Sequence, residues 1–183
     1  SMSAKLSNFV KANFADSKSD LFAVFMEVCH KMNAENGYQA MITQHAWMFL
    51  SSFEKLRTKI QKLDIVNMVH LGARAFEEIG GEVVQTTSFI LANKHVDGYK
   101  GTYCRLVEPT TQLGKEEMFL AHTNVYVISS ENFKLIDGNI IAYYLSDKFF
   151  EVFSSNKTLS DAGVARQGLA TSDNNKFVRY WHE

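Results

Sequence analysis

From Leu21 to Met32 the apolar residues Leu21, Phe22, Val24, Phe25, Val28, Cys29 and Met32 recur every three or four positions, the period of a helix with one apolar face. Ser17 ahead of Asp20 predicts its start as a capping box, with Asp where Glu or Gln is usual. Asn36-Gly37 predicts its end. "YQAMIT", Tyr38 to Thr43, has strand length and no helical period. A second helix is predicted from Trp47 to Leu63, where Phe49, Leu50, Phe53, Leu56, Ile60 and Leu63 form one stripe. Glu54, Lys55, Arg57 and Lys59 read as its solvated face. Two strands follow, "IVNMVHLG" (Ile65 to Gly72) and "EVVQTTSFILAN" (Glu82 to Asn93). The loop between them carries Phe76, Glu77, Glu78 and the pair Gly80–Gly81.

Helix, strand, helix, strand is the order of an α/β sheet with crossover connections. The link between the last two strands is short and holds no helix, whereas a parallel crossover needs about a dozen residues or more. These two strands are therefore expected to run antiparallel. Past Lys94, "GTYCRLVE" reads as a strand, "KEEMFLAH" as a short helix, and "AYYLSDKFFEVF" as a helix with apolar Tyr144, Leu145, Phe149, Phe150 and Phe153. The end, "LSDAGVARQGLATSDNNKFVRYW", is rich in Gly, Asp, Asn and Ser and predicts loops around short strands. A boundary near Asn139 divides the chain into 1–138 and 139–183.

Composition narrows the class. With 46% hydrophobic and 21% charged residues the chain reads as globular, not disordered, collagen-like or coiled-coil. No apolar run approaches the roughly 20 residues needed to cross a bilayer, and the start lacks the regions of a signal peptide, so a cytoplasmic protein without membrane contact is expected. The 2 cysteines, Cys29 and Cys104, and the 6 histidines show no zinc or disulfide spacing, so no metal is expected. A net charge of −1 offers no global attraction to phosphate, so nucleic-acid contact would need a local patch.

Three segments, "SKSDLFAVFMEVCHKMNAENGYQAMITQHAWMFLSSFEKLR", "HLGARAFEEIGGEVVQTTSFIL" and "RQGLATSDNNKFVRYW", together resemble adenine-specific DNA methyltransferases. The likeness is to the large enzyme of bacteriophage-exclusion (BREX) antiviral defence and to the methylase parts of fused restriction-modification enzymes. It implies a fold class: the C-terminal half of a Rossmann-like methyltransferase sheet with a terminal antiparallel strand over 1–138, and the start of a target-recognition region over 139–183. It also implies an activity of the complete enzyme, methyl transfer from S-adenosylmethionine to the exocyclic amine of adenine in double-stranded DNA, alongside partner proteins of a defence system. The family's cofactor glycine loop and Asn-Pro-Pro-Tyr loop are absent; the only proline is Pro109. The amine is a poor nucleophile that such a loop must polarise and orient. No catalytic residue is therefore expected in this chain, and the isolated chain is expected to be inactive.

The resemblance implies roles for particular residues. Asp20, Leu21 and Phe25 would line the adenosine half of the cofactor pocket; a capped helix with a buried face is the plainer reading. Phe76 matches the aromatic on which the family stacks an extruded base, with core packing as the alternative. Arg74 would touch phosphate or cap the preceding strand. Gly168, Thr171, Asn174 and Phe177 fit a G-x-x-T-x-x-N-x-x-F opening of a target-recognition domain. There Arg166, Lys176 and Arg179 would meet phosphate and Asn174 and Asn175 base edges, or the asparagines simply form a turn. The competing function is a non-catalytic scaffold or DNA-binding half-domain that pairs with a partner, or self-associates, through an open sheet edge.

Overall fold

The computed structural model describes residues 2–76, 84–154, 159–164, 166 and 174–178. Nothing ahead of Ser17 is predicted, yet Ala4–Asn13 forms α1, capped by Ser3, whose hydroxyl accepts the Leu6 N–H at 3.4 Å. Its only buried residue is Val10, so its apolar stripe is too thin to stand out in the sequence. α2 spans Leu21–Met32, where the periodicity places it. The cap is Asp20 itself, accepting the Phe22 N–H at 3.3 Å, while Ser17 is fully buried ahead of it. α2 stops at Met32, short of the predicted Asn36-Gly37 end. The intervening turn is tied to the sheet by Asn36 N–H to the Asn93 carbonyl (3.2 Å) and Asn93 N–H to the Gly37 carbonyl (2.8 Å).

The helix predicted from Trp47 to Leu63 is broken. Two 3₁₀ turns, His45–Met48 and Ser51–Phe53, precede α3, which is only Glu54–Ile60. Arg57 accompanies the break. Its Nη1 donates to the carbonyls of Trp47 (2.9 Å) and Leu50 (2.7 Å), and its Nε to that of Gly138 (2.8 Å). The Trp47 and Leu50 carbonyls thus accept from a buried guanidinium at the break, and the Leu50 carbonyl takes the Phe53 N–H as well (3.1 Å). Arg57 is thus 1% exposed and not on a solvated face. Lys59 stays nearer the surface and bridges Asp16 and Glu27 at 2.8 and 2.9 Å.

Among the described residues the sheet has five strands: β1 Tyr38–Gln44, β2 Asp64–Gly72, β3 Thr86–Ala92, β4 Lys100–Arg105 and β5 Val125–Ser129. Their order is β1-β3-β2-β4-β5. β3 runs antiparallel to β2, as the short connection predicts, and antiparallel to β1 as well. It is therefore inserted between two strands that point the same way. β4 extends the sheet parallel to β2, and β5 adds an antiparallel strand that the sequence reading missed. Gly101 lets β2 and β4 meet closely, since a Cβ there would lie 2.1 Å from the Ile65 carbonyl oxygen. α4, Gln112–Leu120, links β4 to β5.

The helix predicted over residues 142–153 begins only at Asp147, as α5, Asp147–Ser154. Ahead of it Ile141, Ala142 and Tyr143 are buried, with Tyr143 stacked on Tyr103 at 5.2 Å between ring centres. A large apolar side chain such as that of Ile141 contributes roughly 1.5–3 kcal/mol when fully buried. One core cluster joins Ala23, Trp47, Phe89, Tyr103, Phe133, Tyr143 and Phe150, so packing continues past residue 139. In the tail, Leu159–Ala162 and Asn174–Phe177 are single helical turns, α6 and α7, and no short strand is found there among the described residues. Among the described residues no helix is long and apolar enough to cross a membrane.

Candidate functional site at the carboxyl ends of β1 and β2

In open α/β sheets, ligands sit in the crevice beyond the carboxyl ends of the parallel strands. β3 brings two such ends together, because Thr86 pairs with Gln44 of β1 on one side and Gly72 of β2 on the other. The chain leaves β1 at His45, whose N–H bonds the Gln85 carbonyl at 2.9 Å. His45 Nδ1 lies 2.7 Å from His70 Nε2, and His70 Nδ1 lies 3.0 Å from the Tyr143 hydroxyl. Three elements far apart in sequence thus meet in one hydrogen-bonded chain.

Burial sets the charge of this chain. Desolvation, reinforced by His45, Arg105 and Lys115, pushes the His70 pKa down to about 4. Burial also lowers His45 and raises the Tyr143 phenol above its ordinary range. All three groups are therefore neutral at pH 7. One consistent assignment has Tyr143 O–H donating to His70 Nδ1 and His70 Nε2–H donating to His45 Nδ1, leaving the His45 Nε2–H as the outermost donor. Phe49, 40% exposed, stands edge-on to His45 at 4.9 Å, and Tyr144, 50% exposed, lies beneath the Arg105 guanidinium at 5.6 Å. Behind β2, the buried Lys115 donates to the carbonyls of Leu71 and Leu106, both at 2.6 Å, and ties α4 to this end of the sheet.

Gly72 turns the chain out of β2 with φ 67, and a Cβ there would press on Val107 at 3.0–3.2 Å. Arg74 follows, exposed, at φ 57. Phe76 comes next and is 43% exposed, so it is not a core residue. Asp20 caps α2, Leu21 is half-buried and Phe25 is 56% exposed. None of these three lines the cavity of about 220 Å³ between α2 and α3, whose walls include Met26, Gln39, Ile60, Leu63 and Leu91. Arg166 is exposed, and the exposed Lys176 holds its Nζ 5.4 Å over the Phe177 ring. Asn174 and Asn175 belong to α7, but their side chains lie outside the description. Glu77, Glu78, Gly80, Gly81, Glu82, Gly168, Thr171 and Arg179 also lie outside the described residues.

Sequence reasoning singled out none of His45, Phe49, His70 and Tyr143. A signal existed for two of them: each histidine sits at or just beyond the last residues of a predicted strand, where sheet ligands are met.

Comparison with known proteins bears on the chain as a whole. The family described as Eco57I restriction-modification methylase matches residues 1–76, ending at Phe76. The whole chain is 47% identical to part of adenine-specific methyltransferase PglX of Lacticaseibacillus casei (strain Zhang), covering 16% of that protein. It is 40% identical to part of adenine-specific methyltransferase BrxX of Escherichia coli O9:H4 (strain HS), covering 15%. The chain therefore spans about a sixth of the length of these relatives. Among solved structures, a DrdV–DNA complex shares the fold over 80% of this chain and 16% of that one, with a TM-score of 0.55 at 12% identity.

Proposed function

We propose that this chain, which matches one segment of the adenine-specific methyltransferases along its whole length, closes the methyl-transfer domain of such an enzyme and presents Phe76 to an adenine turned out of the DNA helix. The observation that carries the reading is β3 inserted antiparallel between β1 and β2, with an exposed Phe76 just past the carboxyl end of β2. A base inside a duplex cannot reach a buried methyl donor, so it must be extruded at a cost of a few kcal/mol. Stacking on one aromatic face recovers roughly 1–3 kcal/mol.

S-adenosylmethionine supplies the methyl group when bound to the complete enzyme. The residues of this chain that suit its adenosine half are Phe25, an exposed ring on α2, and Asp20, a half-buried carboxylate at that helix's start. A ring can cover the base and a carboxylate can accept from ribose hydroxyls. Arg74, Arg166, Lys176 and Arg179 are the proposed phosphate contacts, and Asn174 and Asn175 the proposed base-edge contacts. Double-stranded DNA is the proposed substrate, within a BREX or restriction-modification system and its partner proteins.

In the full-length enzyme, Phe76→Ala is expected to lower methylation at least tenfold and to weaken base extrusion, read by 2-aminopurine fluorescence at the target position, while S-adenosylmethionine binding persists. Unchanged turnover refutes the stacking role. The 183-residue chain alone, given cofactor and DNA, is expected to methylate nothing, because it holds no Asn-Pro-Pro-Tyr string.

A second reading has one observation in its favour. β1 lies at the edge of the sheet and leaves Tyr38 62% and Ile42 59% exposed. An edge of this kind invites another strand, from further chain of a longer protein or from a second copy. Sedimentation showing a stable dimer with no affinity for DNA or cofactor would favour a scaffold.

A further inference from the structure

At the end of the sheet away from His45 and His70, Asp64 opens β2 and is 1% exposed. Its Oδ1 accepts from the Val96 N–H at 3.3 Å and lies 3.1 Å from His95 Nδ1, while the Asp64 N–H bonds the Lys94 carbonyl at 2.8 Å. The loop after β3 is thereby fixed around one buried carboxylate, whose Oδ2 is buried without a hydrogen-bond partner. The other ring nitrogen, His95 Nε2, faces two acids: Asp97 Oδ1 at 3.9 Å and Glu131 Oε1 at 3.7 Å. β4 and β5 make this meeting possible, since Lys100 pairs with Ser129 and so sets Asp97 and Glu131 at the same end of this antiparallel pair.

We infer that His95, Asp97 and Glu131 bind a zinc ion, with Asp64 as the buried carboxylate that orients the imidazole. In the tautomer that donates Nδ1–H to Asp64, Nε2 carries a lone pair and lies within 3.9 Å of two carboxylate oxygens. Three acceptors around one point repel unless a cation lies among them. A proton on Nε2 is shared poorly between two acids, whereas a divalent ion neutralises both. The three ligand atoms lie within 4.8 Å of one another, a spread that small side-chain adjustments close. Around tetrahedral zinc, with bonds near 2.1 Å, donor atoms stand about 3.4 Å apart. From His95 Nε2 the two carboxylate oxygens, at 3.9 and 3.7 Å, stand a few tenths of an ångström outside that spacing, and Asp97 and Glu131 have the side-chain exposure to draw in the rest of the 4.8 Å spread. A carboxylate behind a ligating histidine is the usual outer support of such sites, fixing the tautomer and strengthening the nitrogen as a donor. Water completes the fourth position. The ion would pin the β3–β4 loop to the turn after β5 and take no part in chemistry at the far end of the sheet.

Titration calorimetry of the 183-residue chain with zinc chloride tests this, with proton–nitrogen NMR of the histidine rings as the second readout. Expected are one zinc per chain and a shift confined to His95 Nε2. Asp97→Asn combined with Glu131→Gln is expected to weaken binding at least tenfold, and Asp64→Asn to weaken it tenfold or more. Asp97 is exposed and Glu131 half-buried, neither in the core, so folding is expected to be preserved, and an unaltered His45–His70 signature checks it. Zinc affinity unchanged in the double variant would assign the metal to other residues and overturn the site. So would His95 remaining doubly protonated at pH 7.5 in excess zinc, which would make the group an ion-paired imidazolium instead.

Discussion

Acidification is expected to destabilise this chain through His70 before most carboxylates titrate. Folding moves the His70 pKa from 6.5 to about 4, chiefly by desolvation. A histidine whose folded pKa is depressed adds stability above its unfolded pKa and loses it as pH falls toward the folded value. The sensitive window is therefore pH 6.5 to 4. A difference of roughly 2.5 units at 1.36 kcal/mol per unit comes to about 3 kcal/mol. That is a large share of the 5–15 kcal/mol by which domains are typically stable. Other groups titrate in the same window, so the informative quantity is the difference between the parent chain and His70→Gln, which keeps an amide within reach of His45 and Tyr143 but does not ionise. Urea unfolding at pH 7.0 and 5.0 is expected to show the parent losing about 2 kcal/mol more than the variant. Equal losses, or an NMR titration placing the His70 midpoint at 6 or above, would refute the buried neutral relay.

Three further outcomes follow from packing. Arg57→Met removes the donor shared by the Trp47, Leu50 and Gly138 carbonyls and is expected to cost about 3 kcal/mol in denaturant unfolding; a change under about 1 kcal/mol would show that water replaces it readily. Gly101→Ala forces a methyl against the Ile65 carbonyl and is expected to destabilise by on the order of 2 kcal/mol, seen as a lowered melting temperature; no shift would mean that β2 and β4 yield without strain. Phe76→Ala is expected to leave the stability of the 183-residue chain within about 0.5 kcal/mol, because the ring is exposed, and a larger loss would return Phe76 to a packing role.

The parts of this fold that were legible in the sequence are those set by local pattern. α2 follows its helical period, β1 to β4 follow their apolar runs, and the antiparallel turn from β2 to β3 follows from a link too short for a crossover. What stayed hidden depends on distant partners. Nothing near β3 announces that it enters between β1 and β2, and nothing near Arg57 distinguishes a guanidinium bound to three carbonyls from one in water. The helix predicted from Trp47 to Leu63 failed for the same reason, since the Gly138 carbonyl that Arg57 also meets lies 81 residues further on. His45 and His70 are 25 residues apart, and His95 shares its acids across two loops, so no spacing rule finds either group. Phe76 is the instructive contrast: its place after β2 was readable, but only exposure separates a stacking ring from a core one.

That exposure also bounds what Phe76 can do. A phenylalanine left 43% exposed forgoes part of the roughly 1.5–3 kcal/mol that full burial would add, so folding alone gives little reason to hold it in an outward loop. Binding does give one. Under the proposed function its stacking yields roughly 1–3 kcal/mol against an extrusion cost of a few, which leaves an everted adenine short of balance on one ring. A second surface must grip the other face and the amine. This chain spans only 15–16% of its relatives' length, so under the proposed function that second surface belongs to the part of such an enzyme that this chain does not match. Removing either Phe76 or that surface should then impair extrusion, read by 2-aminopurine fluorescence, and removing both should cost about the sum of the two losses.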